Sequence, residues 1–125
     1  MDQFKIAVVD DDRLFSDSLR ITLQDELGAN VVLFTSGEKL LVELNSGKKF
    51  DLYILDYHLD RYHRKLWGDE VASLLFEFHP EAKVVGLSTS DEAGRKFRIA
   101  GAHFIDTRIG YQDRIKILKQ ILESN

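Results

Sequence analysis

The sequence predicts an α/β fold in which a mostly parallel, five-stranded sheet is flanked by about five helices. Two observations carry this. Short runs of β-branched and aliphatic residues recur along the chain, and the segments between them repeat apolar residues at helical spacing. Strands that alternate with helices of this length imply parallel pairing, because a parallel crossover needs a helix to return the chain to the same end of the sheet.

The first strand is Ile6-Ala7-Val8-Val9, apolar throughout and so expected to be buried on both faces. The helix after it places Phe15, Leu19, Leu23 and Leu27 on one face, with Asp12 available as its N-cap. Val31-Val32-Leu33-Phe34 forms the second strand, and Ser36 caps a helix carrying Leu40, Leu41 and Leu44. Leu52-Tyr53-Ile54-Leu55 is the third strand. The helix that follows places Val71, Leu74, Leu75 and Phe78 on one face, and Pro80, the only proline, stops it near His79. Val84-Val85-Gly86-Leu87 is the fourth strand. The fourth helix is weakened by Gly94, which costs about 1 kcal/mol in a helix interior, and is expected to be a mobile part. Phe104-Ile105 gives a weaker fifth strand, and Gly110 or Asp113 opens a last helix with Ile115, Leu118 and Leu122 inward.

At 125 residues the chain can bury one core, so a single domain spanning 1–125 is expected. No apolar run approaches the roughly 20 residues needed to cross a bilayer, and the N-terminus lacks the pattern of a secretory signal. The absence of cysteine fits a cytoplasmic location. A net charge of −4 disfavours direct binding of nucleic acid.

In an open parallel sheet, ligands bind beyond the carboxyl ends of the strands, where the strand order reverses. The first polar residues after the apolar runs are Asp10-Asp11-Asp12, Asp56, Ser88-Thr89-Ser90 and Thr107-Arg108. Parallel strands would bring them to one edge as carboxylates, a hydroxyl and a cation. Carboxylates about 4 Å apart repel by roughly 4 kcal/mol per pair at an effective dielectric near 20, so they need a proton or a cation. Magnesium or manganese suits such an oxygen-only set. One carboxylate could then act as a nucleophile toward phosphorus, with Ser88 and Arg108 supplying donors to the phosphoryl oxygens. With no evident general base or water-positioning glutamine, a long-lived phosphoryl state is expected rather than rapid turnover. Taken alone, Asp10 to Asp12 would read as a solvated turn in which Asp12 caps the helix.

The ordered set resembles the receiver domain of two-component response regulators over essentially the whole chain. Val8-Val9-Asp10-Asp11-Asp12 resembles that family's strand and acidic pair, Leu52-Tyr53-Ile54-Leu55-Asp56 its phosphoacceptor strand, and Val85-Gly86-Leu87-Ser88 the strand with its switch hydroxyl. Gly101-Ala102 followed by Arg108 puts Arg108 at the position of the usual lysine. The resemblance implies a flavodoxin-like sheet of order 2-1-3-4-5, metal binding by Asp10, Asp11 and Asp56, and phosphorylation of Asp56. It also implies a histidine kinase or phosphotransfer protein as donor, and a downstream protein or effector domain as target. The fourth helix, fifth strand and fifth helix would form the responsive surface, which could also serve a homodimer. Such a protein is a switch rather than an enzyme, and an effector domain could follow Ser124-Asn125.

Departures from the family pattern are specific. Arg108 replaces lysine, and its planar guanidinium would contact a carboxylate or phosphoryl oxygen differently from an ammonium. Ile109 stands in the usual place of proline, so a trans bond is expected there. Ile105 occupies the position of an aromatic residue that couples to the hydroxyl, and Thr89 is bulkier than usual. The 57–67 loop is about four residues longer than usual and carries Arg61, Tyr62, His63, Arg64, Lys65 and Trp67, with Trp67 expected against the third helix. His58, two residues after Asp56, either influences water access or is an exposed loop residue. Asp60 and His63 with His58 are a weak transition-metal candidate. The rival reading is a degenerate receiver that binds partners independently of phosphorylation, and a further one is a phosphoester hydrolase on a similar sheet.

Overall fold

A computed structural model describes residues 3–58 and 66–124. Strands and helices alternate: β1 (Lys5–Val9), α1 (Arg13–Leu27), β2 (Asn30–Phe34), α2 (Gly37–Asn45), β3 (Leu52–Asp56), α3 (Gly68–Phe78), β4 (Val84–Ser88), α4 (Asp91–Ile99), β5 (His103–Asp106) and α5 (Tyr111–Glu123). All strand pairs are parallel, in the order β2-β1-β3-β4-β5. The chain leaves β1 toward β2 and then returns to the other side of β1 for β3. The ends of β1 and β3 therefore flank the point where the strand order reverses.

The period of two along each strand divides the core into two layers. Ala7, Val9, Tyr53 and Leu55 face α2, α3 and α4, where Leu40, Leu75 and Phe97 are fully buried. Ile6, Val8, Leu52, Ile54, Val85, Leu87 and Ile105 pack on the opposite side with Leu23 of α1 and Leu118 of α5. Covering helices on both faces explains why β1, β3 and β4 are apolar at nearly every position.

The helix signals act as the sequence suggests. Asp12 accepts from the Phe15 amide at 3.2 Å and Ser36 from the Lys39 amide at 3.3 Å. Gly110 is the N-cap of α5, and α3 ends at Phe78, two residues before Pro80. No cis peptide occurs among the described residues, so the Arg108–Ile109 bond is trans as the isoleucine leads one to expect.

Two glycines have packing reasons. A Cβ on Gly86 would stand 2.2 Å from the Phe97 ring, so glycine in β4 lets α4 lie directly on the sheet. A Cβ on Gly94 would stand 2.7 Å from the Phe104 ring, so this residue admits an aromatic side chain from β5. Its cost to the helix is set against that contact. The helix has further support from Ser90, which accepts from the Ala93 amide, from Asp91 and Glu92 in its first turn, and from Lys96 and Arg98 in its last.

Candidate functional site at the strand ends

Backbone bonds continue the ladder just past the strands and align their ends. The amide of Asp10 donates to Phe34 O at 3.0 Å, that of Tyr57 to Leu87 O at 3.2 Å, and that of Thr107 to Ser88 O at 3.0 Å. The side chains that follow share one edge. Asp10, Asp11 and Asp56 each present a carboxylate oxygen within 4.8 Å of the other two. They adjoin an open cleft of about 370 Å³ lined by residues that include Asp10, Asp56, His58, Ser88, Thr89 and Thr107. Among the described residues, no lysine or arginine lines it.

Asp10 is buried, at 5% exposure, while Asp11 and Asp56 are half-buried. Burial pushes the Asp10 carboxyl up to about 7. The amide of Asp12, donating at 2.8 Å, opposes that rise, and the charges of Asp56, Asp11 and Asp12 add to it. Asp56 is also raised, chiefly by burial. His58 holds it down in part, Asp11 raises it further, and the amides of His58 and Tyr57 donate to it. Burial is the main reason both carboxyls hold protons more tightly, and the charges of their acidic neighbours add to it. The oxygen-only donor set fits a hard divalent cation, which would take the place of those protons.

Ser88 is buried, and its Oγ accepts from the Ser90 amide at 3.1 Å, which leaves its own O–H proton available to donate. Thr89 is exposed at the rim.

Arg108 lies elsewhere than the strand-end pattern suggests. Its Nε donates to Asp106 at 3.0 and 3.1 Å, and a terminal nitrogen reaches Asp106 at 2.6 Å and Asp91 at 3.4 Å. The guanidinium thus ties the end of β5 to the first turn of α4 and does not line the cleft. This pair holds the half-buried Asp106 carboxyl down at about 2. A partner two residues earlier captures the planar fork, where a longer reach into the pocket would leave Asp106 without its ion pair.

An aromatic group borders the cleft that sequence reasoning did not assemble. Tyr57 lies 5.1 Å from Trp67 and 5.0 Å from His58 between ring centroids, and His58 lies 5.5 Å from Trp67. The Tyr57 hydroxyl accepts from Lys96 of α4 at 3.2 Å. Trp67 is the N-cap of α3 and packs against the core cluster that holds Val71, Ala72 and Leu75, and its amide donates to Glu70 at 2.8 Å. The expectations for Asp60, Arg61, Tyr62, His63, Arg64 and Lys65 fall outside the described residues.

A family model for the response regulator receiver domain matches residues 6–107, a span that holds the three aspartates and Ser88 and stops one residue short of Arg108. Comparison with curated proteins gives no match. Among solved structures, the chain is similar to the receiver domain of DrrB in its BeF3-activated form, at 29% identity and a TM-score of 0.81, covering 98% of this chain and 100% of that one. It is similar to intact DrrB, a Thermotoga maritima homologue of OmpR and PhoB, at 30% identity and a TM-score of 0.80, with 98% and 54% covered. The receiver domain of the sensor histidine kinase PA1611 from Pseudomonas aeruginosa, with a magnesium ion in its active-site cleft, shares the fold at 16% identity and a TM-score of 0.83, with 98% and 100% covered. With the strand order, the acidic edge and the family match in agreement, the chain belongs to the response regulator receiver domains of two-component signal transduction.

Proposed function

We propose that this chain is a phosphoacceptor switch in which Asp56 receives a phosphoryl group with the help of a divalent cation held by Asp10, Asp11 and Asp56. The observation that carries the reading is the convergence of those three carboxylates, from the ends of two adjacent strands, within 4.8 Å of one another. Magnesium, or manganese in its place, would neutralise carboxylate and phosphoryl charge when bound. The PA1611 receiver domain is a precedent for magnesium within this fold.

In the proposed step a carboxylate oxygen of Asp56 bonds to phosphorus as the donor's P–N or P–O bond breaks, and the leaving group takes up a proton. Asp56 must be ionised to attack, so its raised proton affinity has to be overcome first. Asp10, Asp11 and Asp56 would hold a cation that favours their ionised forms. The Ser88 hydroxyl, which accepts from the Ser90 amide and keeps its own proton free, then donates to a phosphoryl oxygen. Arg108 would join only by exchanging Asp106 for the phosphoryl group. That exchange would loosen the link from β5 to α4 and pass the new charge to the surface of α4, β5 and α5.

A histidine kinase or phosphotransfer protein is the donor in this reading, and a downstream protein or effector domain reads the altered surface, in the cytoplasm. The test is intact-mass measurement after incubation with acetyl phosphate and magnesium, followed by peptide mapping. The reading requires one phosphoryl adduct, on Asp56, absent from Asp56→Asn and absent in EDTA. An unmodified wild-type chain would leave binding alone as its function, and sustained phosphate release would point to a hydrolase.

A further inference from the structure

A second cavity, of about 90 Å³, lies between α1 and α5 on the far side of Phe15 and Leu87, which wall both it and the acidic cleft. Leu19, Ile105, Ile115 and Leu118 add to its apolar lining, which also carries hydroxyl side chains. The lining also holds Arg114, whose Nε is buried and has no hydrogen-bond partner. Among the described residues, no carboxylate lines the cavity. Arg114 is half-buried and is the one charged residue in that lining, so the ligand its guanidinium complements is an anion from outside.

We propose that this cavity binds a small aliphatic carboxylate, with its tail against Leu87, Ile105 and Leu118 and its head accepting from Arg114. The planar guanidinium matches a carboxylate, and this pairing is stronger than one with a neutral oxygen. The volume sets the tail. An apolar cavity of about 150 Å³ accepts benzene, so one of about 90 Å³ suits a chain of about three or four carbons. An anion is better accommodated here than in the neighbouring cleft, where Asp10 and Asp56 would repel it.

The test is a titration of the full chain, labelled with 15N and 13C-methyl groups, with sodium isovalerate in two-dimensional NMR at matched ionic strength. Isovaleramide serves as the neutral control. The expected result is saturable shifts of the Leu87, Ile105 and Leu118 methyls, with the amide binding about tenfold more weakly. Arg114→Met, which keeps most of the apolar stem, should remove the preference for the acid. Ile105→Phe should fill the cavity and abolish binding of both compounds. Should Ile105→Phe not fold, the Arg114→Met comparison decides. Shifts that do not saturate, equal affinity for acid and amide, or an acid preference that survives Arg114→Met would each overturn the proposal.

Discussion

Replacing Asp56 with asparagine should stabilise the cation-free protein, and by more at high pH than at low. Asparagine keeps the shape and an oxygen that can accept from the Tyr57 and His58 amides, while it removes one of three mutually repelling charges. At 4.8 Å and an effective dielectric near 20, each ionised pair costs about 3.5 kcal/mol. Protonation limits that cost: raising Asp10 from 3.8 to about 7 corresponds to at most about 4 kcal/mol, and burial is its largest cause. The share that asparagine relieves is therefore about 1–3 kcal/mol, or about 4–12 °C in melting temperature for a domain of this size.

The sign of the pH dependence follows from the same shift. Folded Asp10 binds a proton that the unfolded chain releases, so without metal the stability falls as pH rises from the ordinary carboxylate value through about 7. Thermal and urea melts in EDTA at pH 5 and pH 8 measure both effects. The gain from Asp56→Asn should be full at pH 8 and shrink below about 1 kcal/mol at pH 5, where Asp10 is largely protonated and no longer repels its neighbour. An equal gain at both pH values, or a loss of stability, would refute the crowded acidic site.

Other substitutions probe the surroundings. Asp106→Asn should release Arg108 from its exposed ion pair and speed labelling by acetyl phosphate, while Arg108→Gln should slow it, both read as adduct formation against time. Gly86→Ala should destabilise by about 1–3 kcal/mol in urea melts, because the added methyl meets the fully buried Phe97 ring. Tyr53→Phe should cost about 1–3 kcal/mol, since the buried Tyr53 hydroxyl accepts from the Phe50 amide at 3.0 Å and the loss leaves that donor unsatisfied.

The fold was legible because its signals are local and repeated. Apolar runs at β1, β3 and β4 reflect burial on both faces, and the caps at Asp12, Ser36 and Gly110 are short-range patterns. Asp10, Asp11, Asp56 and Ser88 were legible as strand-end residues because parallel strands bring equivalent ends together. Arg108 was less so. A strand-end rule places the backbone, but a long side chain chooses its own partner, and Asp106 two positions earlier is nearer than the cleft. Gly94 read as a weak point in a helix, whereas its role depends on Phe104, which reaches it from the next strand. The grouping of Tyr57, His58 and Trp67 depends on the end of β3 and the start of α3 lying side by side, which no periodicity encodes.

Manganese titration of the intact chain, followed by electron paramagnetic resonance of the free ion, tests the shared acidic site most directly. One ion should bind per wild-type chain, and Asp10→Asn and Asp56→Asn should each weaken that binding at least about tenfold, as expected for loss of a charged ligand. Arg108→Gln should leave it nearly unchanged, because Arg108 is engaged with Asp106 outside the cleft. A wild-type chain that takes up no manganese, or one whose uptake is indifferent to Asp10→Asn, would contradict the account.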